Sequence, residues 1–323
     1  MRSKSSRRMM LGIAREDHQG VDARLRGLCL KRPDARNAVL QFSGGKDSTA
    51  LLYLARPWLD RITVLFAETG ATFPHLVKHI HATCEKLDAN LVIVKPPVDV
   101  FEHTATYGLP ADIVPVEASA VMARFLNPPP AQLLQPYTHC CGAMLWDPML
   151  RYFREHGVDL VLRGSKARDR RVGVGPSAEV DGITYRSPLW DWSDDDVYAY
   201  LREQGAALPE HYNFSQEDVA RHKGVEERHQ PAKTGVSALM SSRAMDGRER
   251  PDARERPVGI NDSLDCWLCT AHLAHHGDEK MKYIRARYPD LWPVVSERMA
   301  RVKSVLGDEM ARINAALDLG SGA

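Results

Sequence analysis

The chain has 323 residues, of which 44% are hydrophobic, enough to bury an ordinary core in one large domain or two small ones. Its 43 basic side chains nearly cancel its 42 acidic ones, so no overall field recruits polyanions, and a nucleic-acid role would need a local patch. No window approaches the roughly 18 apolar residues of a membrane span, and no apolar run of a secretory signal follows the basic start. We therefore expect a cytoplasmic protein without a membrane partner.

Strand and helix patterns alternate along the first two thirds of the chain. Residues 1–36 are charged with weak helical periodicity and are predicted to form an N-terminal arm or helix. From residue 37, "AVLQF", "RITVLFA" and "NLVIVKP" predict buried strands with helices between them, and "DLVLRGS" resumes the alternation after a linker at 126–137. This order is typical of βαβ units, so residues 37–212 are predicted to be an α/β domain with a parallel sheet covered by helices on both faces.

The last third of the chain divides into an insertion and a helical end. In "SDDD", Ser193 and the acidic run predict a well-capped helix start, and capping alone explains the aspartates. Residues 213–262 are polar and rich in structure-breaking residues, which predicts an insertion whose "RERPDARER" stretch is a solvated loop or, alternatively, a nucleic-acid contact. Residues 263–323 hold a CxxC pair and one or two amphipathic helices.

The stretch "SGGKDS", which begins at residue 43, lies where the first predicted strand turns into the first predicted helix. Gly44 and Gly45 permit backbone angles that bring successive N–H groups onto an anion, and the helix N-terminus adds the positive end of its dipole. Lys46 supplies a full charge. Further donors are the hydroxyls of Ser43, Ser48 and Thr49. The stretch has neither the Walker spacing nor the GxGxxG spacing, and it predicts a cradle for phosphate or pyrophosphate.

This loop resembles the pyrophosphatase loop "SGGxDS" of the adenine-nucleotide α-hydrolase superfamily, which includes the ATP pyrophosphatases. Three later blocks resemble motifs of the phosphoadenosine-phosphosulfate (PAPS) reductase family and occur in that family's order. They are "FAETGATFP" (66–74), "GSKARDRRVG" (164–173) and "SPLWDWSDDDVYAYL" (187–201). The chain is identified as a member of this family over about residues 40–270. The resemblance implies a flavodoxin-like or Rossmann-like sheet with the nucleotide across the carboxyl ends of its strands.

The resemblance also implies which residues contact the nucleotide. Phosphate contacts are expected from Ser43, Gly44, Gly45, Lys46, Asp47, Ser48 and Thr49. The residues expected nearest to the chemistry are Lys46, Asp47 and Ser48. The expected neighbours of the nucleotide are Glu68, Thr69, Gly70 and, near the adenine or ribose, Gly164. The candidate anion clamps, each alternatively a solvated surface charge, are Lys166, Arg168 and Arg171. Glu68 stands where the family usually has aspartate and is a candidate Mg²⁺ ligand.

Two cysteine pairs, Cys140–Cys141 and Cys266–Cys269, indicate a metal or redox site. The CxxC spacing lets two thiolates reach one metal, and thiolates are preferred by iron–sulfur clusters and zinc. The arrangement resembles the "CC…CxxC" [4Fe-4S] site of the adenylylsulfate (APS) reductases in the same family, although the Arg-Lys that follows their first pair is missing here. A [4Fe-4S] cluster is the prediction, with a structural zinc or plain buried thiols as the alternatives.

Two features distinguish this chain from sulfonucleotide reductases. First, no cysteine follows Cys269 that could attack a sulfate sulfur. Second, the "SGGKDS" loop is intact, whereas the resemblance implies that reductases generally carry an altered loop. We therefore predict ATP as the substrate, together with Mg²⁺. An acceptor oxygen would attack the α-phosphorus and release pyrophosphate, and sulfur would then displace AMP.

The resemblance implies nucleic-acid sulfur modification, including DNA phosphorothioation, as the setting of this chemistry, with a sulfur donor such as a cysteine desulfurase as partner. Two alternatives stay open. One is an APS or PAPS reductase acting on adenylylsulfate or its 3′-phosphate with a borrowed nucleophile. The other is a nucleotide-binding module without turnover in which the cysteines hold a structural zinc.

Overall fold

The computed structural model describes residues 37–128, 132–167, 169, 175–214, 264, 266–271 and 277–320. The predicted arm at 1–36 and almost all of the predicted insertion at 213–262 lie outside the described residues, as do Arg168 and Arg171. The predictions made for those segments are therefore not addressed by the structure.

Six strands form one mixed sheet. In chain order the described strands are β1 (Ala38–Gln41), β2 (Ile62–Ala67), β3 (Leu91–Val94), β4 (Leu109–Ala111), β5 (Leu134–Pro136), β6 (Leu160–Leu162), β7 (Ser177–Val180) and β8 (Ile183–Arg186). The order in the main sheet is β3-β2-β1-β6-β8-β7, and all pairs are parallel except the β7–β8 hairpin at one edge. β4 and β5 form a separate parallel pair.

The predicted α/β fold with a mostly parallel sheet is confirmed. Doubly wound sheets have two common strand orders, the Rossmann order and the flavodoxin order. This sheet has the Rossmann order, because its strands run β3-β2-β1 and the chain then crosses to the other side of β1. The order reverses between β1 and β6. Polar loops after these two strands therefore meet at the same edge of the sheet, which is where open α/β sheets bind their ligands.

Helices cover both faces of the sheet, as predicted. The described α-helices are α1 (Lys46–Leu54), α2 (Pro74–Lys86), α3 (Val100–Tyr107), α4 (Tyr137–Cys141), α5 (Asp147–Glu155), α6 (Asp194–Glu203), α7 (Gly277–Arg287) and α8 (Trp292–Gly320). Side chains alternate along β1, so Leu40 packs in the larger core with α1, α2 and α6, whereas Val39 packs in a smaller core with Phe153 of α5.

The segment between β3 and α4 differs from the sequence prediction. The linker predicted at 126–137 ends in strand β5, and the sequence patterns also missed helix α3 and strand β4. Strands of three residues carry too short a pattern to be distinguished from a loop, so their pairing is decided by the partner strand. The four-residue strands of the β7–β8 hairpin were missed as well.

Two helices end the described chain, in agreement with the predicted helical end. Tyr283 and Ile284 of α7 and Val295 of α8 are 0% exposed and belong to the larger core. The C-terminal helices are thus built into the same core as the sheet. Among the described helices, none has the length and apolar character needed to traverse a bilayer.

Candidate active site

The turn after β1 brings the backbone of the "SGGKDS" stretch against helix α2. Gly44 has φ +76°, a left-handed conformation that favours glycine, and a Cβ there would lie 2.8 Å from side-chain atoms of both Leu76 and Ile80. Helix α1 then begins at Lys46 after Gly45, an N-cap residue that has no side chain to cap the helix. A glycine turn leading into a helix N-terminus is an arrangement that can bind an anion through the backbone.

Two buried lysines meet at this turn. Lys46 is 3% exposed and Lys166, from the loop after β6, is 2% exposed. Both ammonium groups contact Asp47, with Lys46 Nζ 3.1 Å from Oδ2 and Lys166 Nζ against Oδ1. Burial by itself lowers the pKa of the Lys46 ammonium, but the Asp47 carboxylate and other nearby anionic groups raise it above its ordinary value. Both residues were predicted from the sequence to face a nucleotide, and the structure brings them together.

Asp194, the first residue of α6, is the fourth member of this ionic cluster. Its Oδ1 lies 3.3 Å from Lys46 Nζ and 3.1 Å from Lys166 Nζ. Burial by itself raises the pKa of this carboxyl, but the two ammonium groups hold it below its usual value. From the sequence the acidic run is explained by capping, and Ser193 and Asp196 do form a capping box. No pattern in the sequence distinguishes Asp194 from its neighbours.

Gly164 lies where the loop after β6 approaches the start of α1. A Cβ at this position would be 2.8 Å from the backbone nitrogen of Ser48 and 2.9 Å from the carbonyl carbon of Asp47. Such contacts are too short for any side chain, so the loop needs glycine to come this close. The structure therefore places Gly164 against the glycine turn.

Tyr212 is a further residue that the sequence patterns missed. Its hydroxyl accepts a hydrogen bond of 2.9 Å from the backbone N–H of Lys46, and its side chain is 1% exposed. Burial raises the pKa of the Tyr212 phenol above its usual range. The tyrosine comes from a 3₁₀ turn, Glu210–Asn213, which lies far along the chain from the glycine turn.

Three hydroxyls surround the turn. Ser48 Oγ donates to the Gly45 carbonyl at 3.0 Å and lies 3.2 Å from Ser43 Oγ. Thr49 is 0% exposed, and its hydroxyl has no hydrogen-bond partner among the described residues. We call the set formed by the glycine turn, the two lysines, Asp47 and Asp194 the phosphate cradle.

The turn after β2 lies between the cysteines and the edge of the sheet that carries the phosphate cradle. Glu68 Oε1 accepts the Gly70 N–H at 2.7 Å, and Glu68 Oε2 is 3.8 Å from Lys95 Nζ, so this carboxylate supports its own turn. Thr69 accepts the Ala71 N–H at 3.1 Å and lines the same cavity as Cys266. Thr69 therefore links the turn predicted to face the nucleotide with the cysteines.

The four cysteines singled out in the sequence line one cavity. The first pair lies at the end of α4, where a single π-helical turn, Gly142–Trp146, connects to α5; such turns are frequent at functional sites. The second pair lies on a tight turn in which Cys269 N–H donates to Cys266 O at 3.3 Å and Trp267 N–H donates to Ala71 O at 2.9 Å. None of these cysteines is in a disulfide. We call this arrangement the four-cysteine pocket.

Burial keeps the thiols of Cys140 and Cys266 protonated in the absence of a metal. Burial and the neighbouring thiols of the second pair raise the pKa of Cys140 to about 12, with Arg298 acting in the opposite direction. Burial likewise raises the pKa of Cys266 to about 11, opposed by Lys280 and Thr69. A bound metal would have to displace these protons.

The donor set of the pocket suits a thiolate-bound metal centre. Four cysteines from distant parts of the chain face one cavity, and this is the ligand type that iron–sulfur clusters and structural zinc use. Within the part of the chain that the structure describes, no group of three or more His, Cys, Asp or Glu side chains is drawn tightly enough around one point to hold a single ion. The [4Fe-4S] cluster and the structural zinc therefore both stay predictions.

Comparison with protein families gives one match that covers most of the chain. The model of the phosphoadenosine phosphosulfate reductase domain matches residues 37–271. The match therefore includes the phosphate cradle and all four cysteines of the pocket, and it ends before helices α7 and α8.

Two curated relatives are similar to parts of the chain. A phosphoadenosine 5′-phosphosulfate reductase of Xanthomonas axonopodis is 26% identical over 61% of this chain and 76% of its own length. An uncharacterized protein of Methanocaldococcus jannaschii is 22% identical over 50% of this chain, and the match spans only 34% of that protein. Among solved structures, the PAPS reductase of Candida auris in its phosphate complex has a TM-score of 0.38 at 17% identity, covering 54% of this chain and 75% of that one.

Proposed function

Because the chain belongs to the phosphoadenosine phosphosulfate reductase domain family, we propose that it is an adenine-nucleotide-using enzyme that cleaves ATP to pyrophosphate and an adenylylated acceptor. The sulfur-transfer setting, the acceptor and a sulfur donor such as a cysteine desulfurase are parts of this proposal. A nucleic acid is the acceptor class that we infer from the resemblance of the loop.

The observation that carries the proposal is the pairing of two buried lysines at the glycine turn. Lys46 and Lys166 come from the loops after β1 and β6, at the point where the strand order reverses. Two adjacent ammonium groups beside the N-terminus of helix α1 suit the β- and γ-phosphates of ATP, whereas adenylylsulfate carries one sulfate in place of these two phosphates. We infer that ATP, rather than adenylylsulfate, is the substrate.

The charges of the cradle define a role for each residue. The acceptor oxygen would attack the α-phosphorus, the bond to the bridging oxygen of the pyrophosphate would break, and Lys46 and Lys166 would stabilise the charge that develops on the departing pyrophosphate. Backbone N–H groups of Asp47 and Ser48 would hold a phosphate at the start of α1.

A divalent ion accompanying the nucleotide has candidate ligands in the cradle. Asp47 and Asp194 both face the lysines, and phosphate-bound Mg²⁺ is commonly held by one or two carboxylates. When the lysines turn to phosphate, these carboxylates would become available for Mg²⁺. Glu68, the ligand considered from the sequence, is instead engaged with its own turn.

The four-cysteine pocket is the second part of the proposed site. We propose that it holds a [4Fe-4S] cluster, which when bound would supply electron transfer beside the nucleotide. Thr69 belongs to the predicted nucleotide-facing turn and also lines the pocket. The runner-up activity, reduction of APS or PAPS, is supported by the named function of the Xanthomonas relative.

The proposed function is tested by measuring pyrophosphate release from ATP in the presence of Mg²⁺ and of DNA or RNA. Replacing Lys46 with methionine should lower the rate by about 100-fold or more, because one of the positive charges positioned beside the departing pyrophosphate is lost. The matched control is Lys78→Met, since Lys78 is exposed on α2. Equal rates in the two variants would remove the cradle from the reaction. Sulfite release from adenylylsulfate with a dithiol reductant, without pyrophosphate release from ATP, would instead establish the reductase.

A further inference from the structure

Two buried cations beyond the family-matched residues point at the four-cysteine pocket. Lys280 of α7 is 2% exposed and Arg298 of α8 is 8% exposed, although these residue types are rarely buried without a partner. The hydrogen bonds found for the two side chains among the described residues go to carbonyl and hydroxyl oxygens rather than to carboxylates. Both side chains contact the surroundings of the cysteines. A nearby negative group would offset the cost of burying the two charges more fully than these neutral oxygens do.

Lys280 is fixed on the turn that carries the second cysteine pair. Its Nζ donates to the carbonyl oxygen of Cys266 at 2.6 Å and lies 3.4 Å from the carbonyl oxygen of Cys269. One ammonium group therefore joins both ends of the CxxC turn. This contact both holds the turn in shape and places a full positive charge beside the two thiols.

Arg298 lines the cavity itself. One of its terminal nitrogens donates to Thr104 Oγ1 at 2.8 Å, and the guanidinium lies 5.8 Å from the ring centroid of Phe101. Its Nε is buried and has no hydrogen-bond partner among the described residues. The guanidinium is thus held in place on one side while it retains an unused donor, and it faces the same cavity as the cysteines.

We propose that Lys280 and Arg298 are the counter-charges of a four-thiolate metal centre in the four-cysteine pocket, an inference that rests on the centre proposed above. Four thiolates around a centre of charge +2, whether a [4Fe-4S]²⁺ core or Zn²⁺, leave a net charge of about −2, which two buried cations would neutralise. Arg298 acts on the centre through its charge, and Lys280 acts as a positioning residue through the CxxC carbonyls. The C-terminal helices are thereby part of the metal site.

The experiment uses the full chain and two kinds of measurement. Metal-free protein is titrated with Zn²⁺ against a chromophoric chelator, and anaerobically purified protein is assayed for iron and sulfide and titrated for its reduction potential. The variants at the cavity are Arg298→Gln, which removes the charge, and Arg298→Lys, which keeps it. The matched control is Arg301→Gln, because Arg301 is on the same helix with a side chain that is 53% exposed.

Arg298→Gln should bind Zn²⁺ about 10- to 100-fold more weakly than Arg301→Gln, the range found when partners of metal ligands are removed. Its reduction potential should be more negative than that of the control, because a positive charge favours the reduced centre. Arg298→Lys should retain most of the affinity. Lys280→Met should lower the affinity in the same direction, compared with Lys282→Met, whose side chain is exposed on the same helix.

Three results would overturn the inference, and they are distinguishable. If the unaltered protein binds neither iron nor Zn²⁺, the four-cysteine centre is refuted and this proposal with it. If the unaltered protein binds metal but Arg298→Gln matches Arg301→Gln in affinity and potential, only the counter-charge role is wrong. If Arg298→Lys loses as much affinity as Arg298→Gln, Arg298 supports the pocket through the shape of its side chain rather than through its charge.

Discussion

At the scale of single residues, the phosphate cradle is an ionic cluster with alternating charges. Each ammonium group of Lys46 and Lys166 is shared between Asp47 and Asp194. This arrangement stabilises two ammonium charges that would otherwise be costly to bury, and an entering polyphosphate would replace the carboxylates as the partner of the lysines. The carboxylates therefore compete with the phosphates unless a divalent ion accompanies them.

This competition predicts the effect of Asp194→Asn. Without divalent metal, the variant should bind pyrophosphate about fivefold more tightly, equivalent to about 1 kcal/mol, because one anion no longer competes for the two lysines. Calorimetric titration with pyrophosphate in chelator measures the effect. Glu203→Gln, an exposed change on the same helix, is the control. Weaker binding by Asp194→Asn would show that the carboxylate supports the cradle rather than competing for it.

At the scale of elements, helix α2 joins the sheet to the C-terminal helices through buried histidines. His75 lies 2.7 Å from the Tyr288 hydroxyl and its Nε2 is 3.0 Å from His211 Nδ1. Burial lowers the pKa of His75 to about 4, against a smaller opposing effect of Glu210, and burial lowers the pKa of His79 to about 4. Both histidines are therefore neutral in the folded protein at neutral pH.

The lowered pKa values predict how stability depends on pH. Between the ordinary histidine pKa of 6.5 and about 4, the unfolded chain binds protons that folded His75 and His79 do not, so stability falls as pH falls through this window. The loss should approach about 3 kcal/mol for each histidine. Urea unfolding at several pH values, compared between the double variant His75→Gln with His79→Gln and the exposed control His81→Gln, measures it. An equally steep pH dependence in both variants would contradict the prediction.

At the scale of the whole molecule, the family-matched region and the C-terminal helices share one core. The match ends at residue 271, yet Tyr283, Ile284 and Val295 are fully buried in the core that also contains β1, α1 and α2. The four-cysteine pocket also draws one lining residue, Arg298, from α8. We therefore expect that residues 37–271 do not fold independently, although they contain all the recognised motifs.

Ending the chain after Ala271 should accordingly abolish cooperative unfolding. Each large apolar side chain removed from the core contributes about 1.5–3 kcal/mol, and the three lost here amount to much of a typical domain's total stability of about 5–15 kcal/mol. Ending the chain after Met310 is the control, because the described side chains that follow, 311–315, are exposed. Calorimetric unfolding of both forms decides the matter, and a cooperative transition in the shorter form near that of the full chain would refute the shared core.

The sequence by itself determined the elements whose signal is local. Hydrophobic periodicity located the main strands and helices, the glycine turn located the phosphate cradle, Ser193 located the start of α6, and the cysteine spacing identified the pocket's four side chains. Each of these signals is carried by residues that are close together in the sequence or that belong to a motif of known order. The parallel sheet followed from their alternation.

Only the tertiary structure decided which distant groups meet. Asp194 and Tyr212 reach the glycine turn, and Lys280 and Arg298 reach the cysteines, from elements whose own patterns are explained by capping or by amphipathic packing. Strands as short as β4, β5 and β7 likewise depend on their partners. The physical reason is that charge pairing and strand pairing act through space, whereas periodicity and turn chemistry act between neighbours along the chain.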